Sequence, residues 1–139
     1  MRHYLSIPAL ALVIIAFNLL GLAGQWMDSE SLYWDGVLPS GAEFYLKVGD
    51  LFVMAGLIAL FFEIIKAARL GASTIVDHML STATFIVALV EFLVVPFCGT
   101  ATFFFLMLMS LIDVVAGYSI SILAARRDYT VSRDDGGGL

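Results

Sequence analysis

Two acidic side chains, Glu91 and Asp113, stand inside otherwise apolar stretches of this sequence. A carboxylate at the centre of a bilayer costs about 2.5–3.5 kcal/mol on insertion scales, so such residues usually face the interior of a helix bundle. Two roles fit them: a carboxylic acid that hydrogen-bonds between helices, or a group that handles protons or cations. We predict helix-to-helix bonding or partner contact for both, with proton or cation handling as the alternative.

Small and polar residues recur at helical spacing around these acids, which predicts one buried face for each helix. The four stripes are Asn18, Gly21 and Gln25; Gly49, Gly56 and Glu63; Asp77, Ser81, Thr84, Ala88 and Glu91; and Ser110, Asp113, Gly117 and Ser121. Small residues let helix backbones approach closely in lipid, and polar residues hydrogen-bond across helices. We therefore expect the stripes to line the interior of one bundle.

The depth of these side chains follows from the rise of 1.5 Å per helical residue. If the third and fourth stretches pair around their tight turn, Thr84 lies opposite Asp113. Thr84 or Ser81 can then donate a hydrogen bond to the Asp113 carboxyl. Asn18 falls at the depth of Glu91, so we predict a hydrogen bond between these two side chains.

Four apolar stretches must position these residues, at about 4–24, 47–70, 73–97 and 100–125. A helix of about 20 apolar residues crosses a hydrocarbon core of about 30 Å. The chain has 139 residues, of which 61% are hydrophobic and only 14% charged, so little remains for a soluble domain. We predict an all-α integral membrane protein, an antiparallel bundle of four transmembrane helices within residues 1–125. An external loop would span 25–46, and 126–139 would be a flexible cytoplasmic tail.

Basic residues predict the orientation, because cytoplasmic segments of membrane proteins carry an excess of lysine and arginine. Placing both termini in the cytoplasm puts six of the seven basic residues on that side: Arg2, Lys66, Arg69, Arg126, Arg127 and Arg133. Only Lys47 then lies outside. We predict that the pairs Glu63–Lys66 and Lys47–Asp50 are anchors that reach the membrane–water boundary.

The predicted external loop is rich in aromatic residues that settle at a membrane–water boundary, including Trp26, Tyr33, Trp34 and Tyr45. We interpret them as interface anchors, and a short element around 32–38 could lie along the surface. A docking site for a partner or a lipid is the alternative.

Several classes of function lack the residues that they need. Cys98 is the only cysteine, which excludes an internal disulfide and a CxxC site. The two histidines, His3 and His78, stand in unrelated contexts, so we predict no metal and no haem. Without a nucleophile–base pair, a phosphate-binding loop or a basic patch, we predict no catalytic residues, no cofactor and no nucleic acid.

Four segments carry a resemblance to known proteins: ASTIVDH at 72–78, VEFLVVP at 90–96, LIDVVAGY at 111–118 and ARRD at 125–128. Together they resemble a group of small four-helix inner-membrane proteins of alphaproteobacteria that carries no assigned activity. The resemblance implies a multi-pass protein of the bacterial inner membrane, and it marks Asp77, Glu91, Asp113 and the Arg126–Arg127 pair as landmarks.

The function predicted from the sequence is that of a non-catalytic accessory, scaffold or assembly subunit in a membrane complex. It would contact membrane lipids and assemble with itself or with a larger complex through its small-residue stripes and its aromatic loop. The alternative is a small homo-oligomeric channel or transporter that moves protons, cations or small solutes by way of Asp113 and Glu91.

Overall fold

A computed structural model of the chain describes residues 7–24, 32–70 and 75–134, and helices make up most of them. The helices are α1 (Ala9–Leu22), α2 (Val48–Leu70), α3 (Ile75–Val94) and α4 (Ala101–Asp134). Within the described residues, α2, α3 and α4 are long and apolar enough to cross a membrane, with mean hydropathies of 2.2, 1.5 and 2.0. The helix α1 is shorter and also apolar. The prediction of a mostly helical protein is thereby confirmed, and three of the four predicted spans are candidate membrane spans in the described residues.

Consecutive helices run antiparallel, and α4 packs extensively against both α2 and α3. The helix α1 packs mainly on α2 and more lightly on α4 and α3. The helices α2 and α4 are parallel neighbours, because Gly49 faces Thr102 and, two turns further along both helices, Gly56 faces Met109. Side chains from α2 and α3 therefore meet α4 from two sides.

The apolar core lies between the α3–α4 turn and the level of Glu63. Phe17 and Phe103 are fully buried with ring centroids 4.9 Å apart, and Phe52 packs on Phe17 at 5.4 Å. The other buried apolar residues are Leu10, Ile14, Ala59, Leu60, Ala88, Cys98, Leu106, Met107 and Met109. A Cβ atom at Gly56 would lie 2.7 Å from a methyl of Leu106, so glycine allows the close approach of α2 to α4.

An antiparallel β-hairpin precedes α2 and corrects the all-α prediction. Its strands are β1 (Leu32–Val37) and β2 (Glu43–Lys47). Aromatic and apolar residues of this segment suit strands as well as membrane interfaces. The connecting loop closes through the Leu38 N–H, which donates to the Ala42 carbonyl at 2.9 Å. Gly41 in that loop has φ of 83°, in the left-handed region that glycine adopts readily.

The helix α1 spans Ala9–Leu22 and is shorter at both ends than the predicted 4–24. Two further helix ends differ from the predicted positions. The helix α3 ends at Val94 instead of 97, because Pro96 has no N–H to continue the helix, and Pro96–Cys98 form a 3₁₀ turn. The helix α4 continues to Asp134, beyond the predicted end at 125 where a flexible tail was expected. Residues 126–134 contain neither glycine nor proline, so the sequence carries no strong stop signal there.

Some predictions concern parts of the chain outside the described residues. These are the roles of Arg2 and Trp26, the end of the tail at 135–139, and the side chains of Tyr33, Arg69 and Arg127.

Candidate functional site

Polar side chains inside the bundle gather in two groups, which we name after the predicted topology. The inner cluster comprises Glu63 and Lys66 of α2, Asp77, His78 and Ser81 of α3, and Asp113 of α4. The outer cluster comprises Asn18 of α1, Glu91 of α3 and Cys98 of the turn. Ser81 and Glu91 are separated by about 15 Å along α3 at the helical rise per residue. The two predicted functional acids, Asp113 and Glu91, therefore belong to different clusters.

Asp113 and Glu63 are the most buried members of the inner cluster, and each is only 8% exposed. The Ser81 hydroxyl interacts with the Asp113 carboxyl, and the ionisable side chains that face this carboxyl are Glu63, Lys66 and His78. The cluster surrounds a cavity of about 20 Å³, which is enough space for one water molecule. Asp113 is thus held in place by α3 while its carboxyl borders a space of water size.

Glu63 joins α2 to the start of α1. Its Oε1 accepts the Ala9 N–H at 2.6 Å, and its Oε2 accepts Lys66 Nζ at 2.8 Å. Ala9 is the first residue of α1, where backbone N–H groups lack partners within the helix. A carboxylate there satisfies a donor and complements the positive end of the helix dipole. The predicted Glu63–Lys66 contact is present, and Glu63 additionally faces the interior of the bundle.

His78 belongs to the inner cluster although its sequence context marked it neither as a ligand nor as a site residue. Its Nε2 lies 2.7 Å from Ser121 Oγ on α4, and its ring stacks on Tyr118 with centroids 4.9 Å apart. A Cβ atom at Gly117 would lie 3.0 Å from His78 Nδ1, so the glycine gives the ring room. The sequence held one signal for this contact. The small and polar stripe of α4 includes Gly117 and Ser121, and such a stripe predicts a polar partner on a neighbouring helix, here α3.

The outer cluster contains the hydrogen bond predicted from helix depth. Asn18 Nδ2 donates to Glu91 Oε2 at 2.9 Å, which confirms the prediction, and Cys98 Sγ donates to Asn18 Oδ1 at 3.4 Å. Cys98 is fully buried in the turn. Burial, with a further contribution from the Glu91 carboxylate, raises the pKa of the Cys98 thiol to about 11. A thiol that stays protonated at neutral pH is a hydrogen-bond donor rather than a nucleophile or a metal ligand.

Two hydroxyl groups interrupt the mostly apolar layer between the clusters. Ser110 Oγ donates to the Met107 carbonyl at 2.7 Å, and Thr84 Oγ1 donates to the Leu80 carbonyl at 2.9 Å. Each hydroxyl is satisfied within its own helix. Of the two donors predicted for Asp113, Ser81 is therefore the one that interacts with its carboxyl.

The predicted Lys47–Asp50 pair interacts through the main chain. Asp50 Oδ2 accepts the backbone N–H of Lys47 at 2.9 Å, immediately before the first residue of α2. This is the reach-back half of a capping box, which satisfies a donor at the start of the helix. Asp50 thereby stabilises the junction between β2 and α2.

Within residues 7–24, 32–70 and 75–134, no three His, Cys, Asp or Glu side chains are grouped so as to hold a metal ion. No protein-family model matches the chain, and neither a curated protein nor a solved structure shows significant similarity to it. Its function is therefore inferred from the geometry of its own side chains.

Proposed function

We propose that this protein is a non-catalytic integral membrane protein that acts as an accessory, scaffold or assembly subunit of a membrane complex. The observation that carries the proposal is the use of its interior polar groups as links between helices. Glu63 bonds the start of α1 and Asn18 bonds Glu91, and the Ser81 hydroxyl interacts with the Asp113 carboxyl. Interhelical hydrogen bonds of this kind hold helices in register in a membrane.

The apolar layer between the clusters supports this role over transport through one protomer. A conduction path needs polar groups or water from one membrane face to the other. In the described part of the chain, Ile14, Ala88 and Met109 are buried between the clusters. A proton held at Asp113 would have to cross this layer to reach Glu91.

The exposed face of α3 is the surface that we assign to assembly. Only 6% of the most apolar stretch of α3 is buried, compared with 28% for α2 and 39% for α4. Its exposed apolar residues include Ile86, Val87, Val90, Leu93 and Val94. A span that contributes so little to its own core offers a full face to another transmembrane helix. The basic residues favour an orientation with both termini cytoplasmic. The bacterial inner membrane is what the resemblance of the sequence implies.

Native mass spectrometry of protein extracted gently from its own membrane tests the proposal. We expect a complex of defined stoichiometry with a different membrane protein. Val87→Trp on the exposed face of α3 should release that partner, and Ile58→Trp on an exposed position of α2 is the matched control that should retain it. Recovery of monomers or of a pure homo-oligomer would contradict the subunit proposal.

A second candidate function is a small homo-oligomeric channel or transporter for protons, cations or small solutes. The observation that favours it is the inner cluster, in which the buried Asp113 meets Lys66 and His78 around a cavity of water size. Intramembrane ionisable groups next to water often mark proton or ion pathways. Glu91 lies in the outer cluster, so in this candidate the two acids would serve separate steps or separate protomer contacts.

Asp113→Asn distinguishes the two candidates in proteoliposomes that report proton flux with an internal dye. For a structural Asp113 we expect unchanged flux and a stability loss of less than about 1 kcal/mol, because an amide still bonds Ser81. Asp113→Leu should cost about 1–2 kcal/mol, because it removes the bond. Loss of flux in Asp113→Asn with assembly intact would instead establish proton or cation handling. Ser110→Ala, which changes a buried hydroxyl bonded within its own helix, is the control.

A further inference from the structure

The β-hairpin separates its side chains into two chemically different faces. Residues directly opposite each other in an antiparallel pair share a face, and successive residues alternate between faces. The register pairs Trp34 with Leu46 and Gly36 with Phe44 on one face, which we name the apolar face. It pairs Asp35 with Tyr45 and Val37 with Glu43 on the other, which we name the acidic face.

The apolar face is built around Trp34. The Trp34 and Phe44 rings lie 5.9 Å apart, and a Cβ atom at Gly36 would come within 2.6 Å of the indole ring. Glycine at this position therefore lets the indole lie along the strand. Trp34 remains 51% exposed and Phe44 40% exposed, although a two-stranded hairpin alone is only marginally stable in water. Burial of this face against an apolar surface would stabilise the hairpin.

The position of the hairpin indicates which surface that is. Lys47 ends β2 and Val48 begins α2 without an intervening loop, so the hairpin continues directly from a candidate membrane span. Among the described residues, each strand has one edge whose N–H and C=O groups lack strand partners, and such edges cannot enter hydrocarbon. The lipid headgroup region suits both the strand edges and the apolar face. It solvates backbone N–H and C=O groups, and it is where tryptophan preferentially lies.

The carboxylates of the hairpin determine which of its two faces lies towards the membrane. Asp35 and Glu43 are exposed and lie on the face opposite Trp34, so burial of the apolar face leaves both carboxylates in water. We propose that the hairpin lies flat on the bilayer of its own membrane, with the apolar face on the lipid acyl boundary and the acidic face towards water. This lipid-binding surface is independent of the proposed assembly role of α3, and it would set the height of α2 in the membrane.

Tryptophan fluorescence of the full chain in lipid nanodiscs tests the orientation, since both membrane faces of a nanodisc meet solvent. The sequence has two tryptophans, so Trp26→Phe leaves Trp34 as the only reporter. Lipids brominated near the top of the acyl chains quench the emission of a tryptophan in the membrane, and iodide quenches the emission of a tryptophan in water. We expect a blue-shifted Trp34 emission that loses most of its intensity to brominated lipid and little to iodide.

A matched variant places the reporter on the acidic face. Trp26→Phe, Trp34→Phe and Tyr45→Trp together should give a red-shifted emission that iodide quenches and brominated lipid spares. Equal iodide quenching of both reporters would overturn the proposal, because the hairpin would then stand in water. Equal quenching of both by brominated lipid would overturn the orientation. Protection of Trp34 from both quenchers would assign the apolar face to protein contact instead.

Discussion

Replacement of Glu63 by leucine is expected to lower the free energy of unfolding by about 2–3 kcal/mol. The substitution leaves Lys66 Nζ and the Ala9 N–H without the carboxylate oxygens that they bond at 2.8 and 2.6 Å. Removal of one partner of a buried ion pair costs about 3–5 kcal/mol. The Lys66 side chain is 33% exposed, so water solvates the remaining ammonium in part and reduces the cost. Equilibrium unfolding in mixed micelles measures the loss.

Three further variants identify the cause of that loss. Glu63→Gln keeps an oxygen for the Ala9 N–H and should cost only about 1 kcal/mol. The double variant Glu63→Leu with Lys66→Met should lose less than the sum of the single variants, because no ammonium is left unpaired. Glu43→Gln on the exposed hairpin is the control and should stay within about 0.5 kcal/mol of the parent protein. Additive losses in the double variant would contradict a Glu63–Lys66 interaction.

The helices were predictable from the sequence, because an apolar run long enough to cross a bilayer can form few structures other than a helix. The hairpin was not predictable in the same way. Trp34 and Tyr45 fit a membrane interface and a β-strand equally well, and only pairing between β1 and β2 distinguishes the two. The end of α4 was misplaced because the charge of Arg126 and Arg127 resembles the start of a tail, whereas charged residues are also good helix formers.

The outer cluster could be predicted because helix depth alone determines which residues lie at the same level. Asn18 and Glu91 needed only the rise per residue and the order of the helices. The inner cluster depends on which helices are neighbours, and hydropathy carries no information about that. Glu63 lies near Asp113 because α2 runs parallel to α4. Glu63 also bonds a backbone N–H of α1. A backbone donor has no signature in the side-chain pattern.

Phe103→Ala is expected to produce a comparable loss in the apolar core, about 3 kcal/mol. Phe103 is fully buried, and its ring lies 4.9 Å from that of Phe17, which packs on Phe52. Truncation opens a cavity among α1, α2 and α4, and neighbouring helices relax only partly into such a space. In an unfolded membrane protein the phenylalanine ring is already in lipid, so little free energy comes from its transfer out of water. The cavity therefore accounts for most of the loss. The same mixed-micelle unfolding experiment measures it.

Phe105→Ala is the matched control, because it removes the same ring from the same helix at a position that is 48% exposed. We expect a loss below about 1 kcal/mol, since no closed cavity forms on the lipid-facing side. Equal losses in the two variants would contradict the placement of Phe103 in the core. The cavity left by Phe103→Ala is walled by apolar groups such as Phe17 at the level of the outer cluster, and a cavity with apolar walls stays dry. The variant leaves the apolar layer of Ile14, Ala88 and Met109 between the clusters intact. It should therefore lose stability without gaining proton flux.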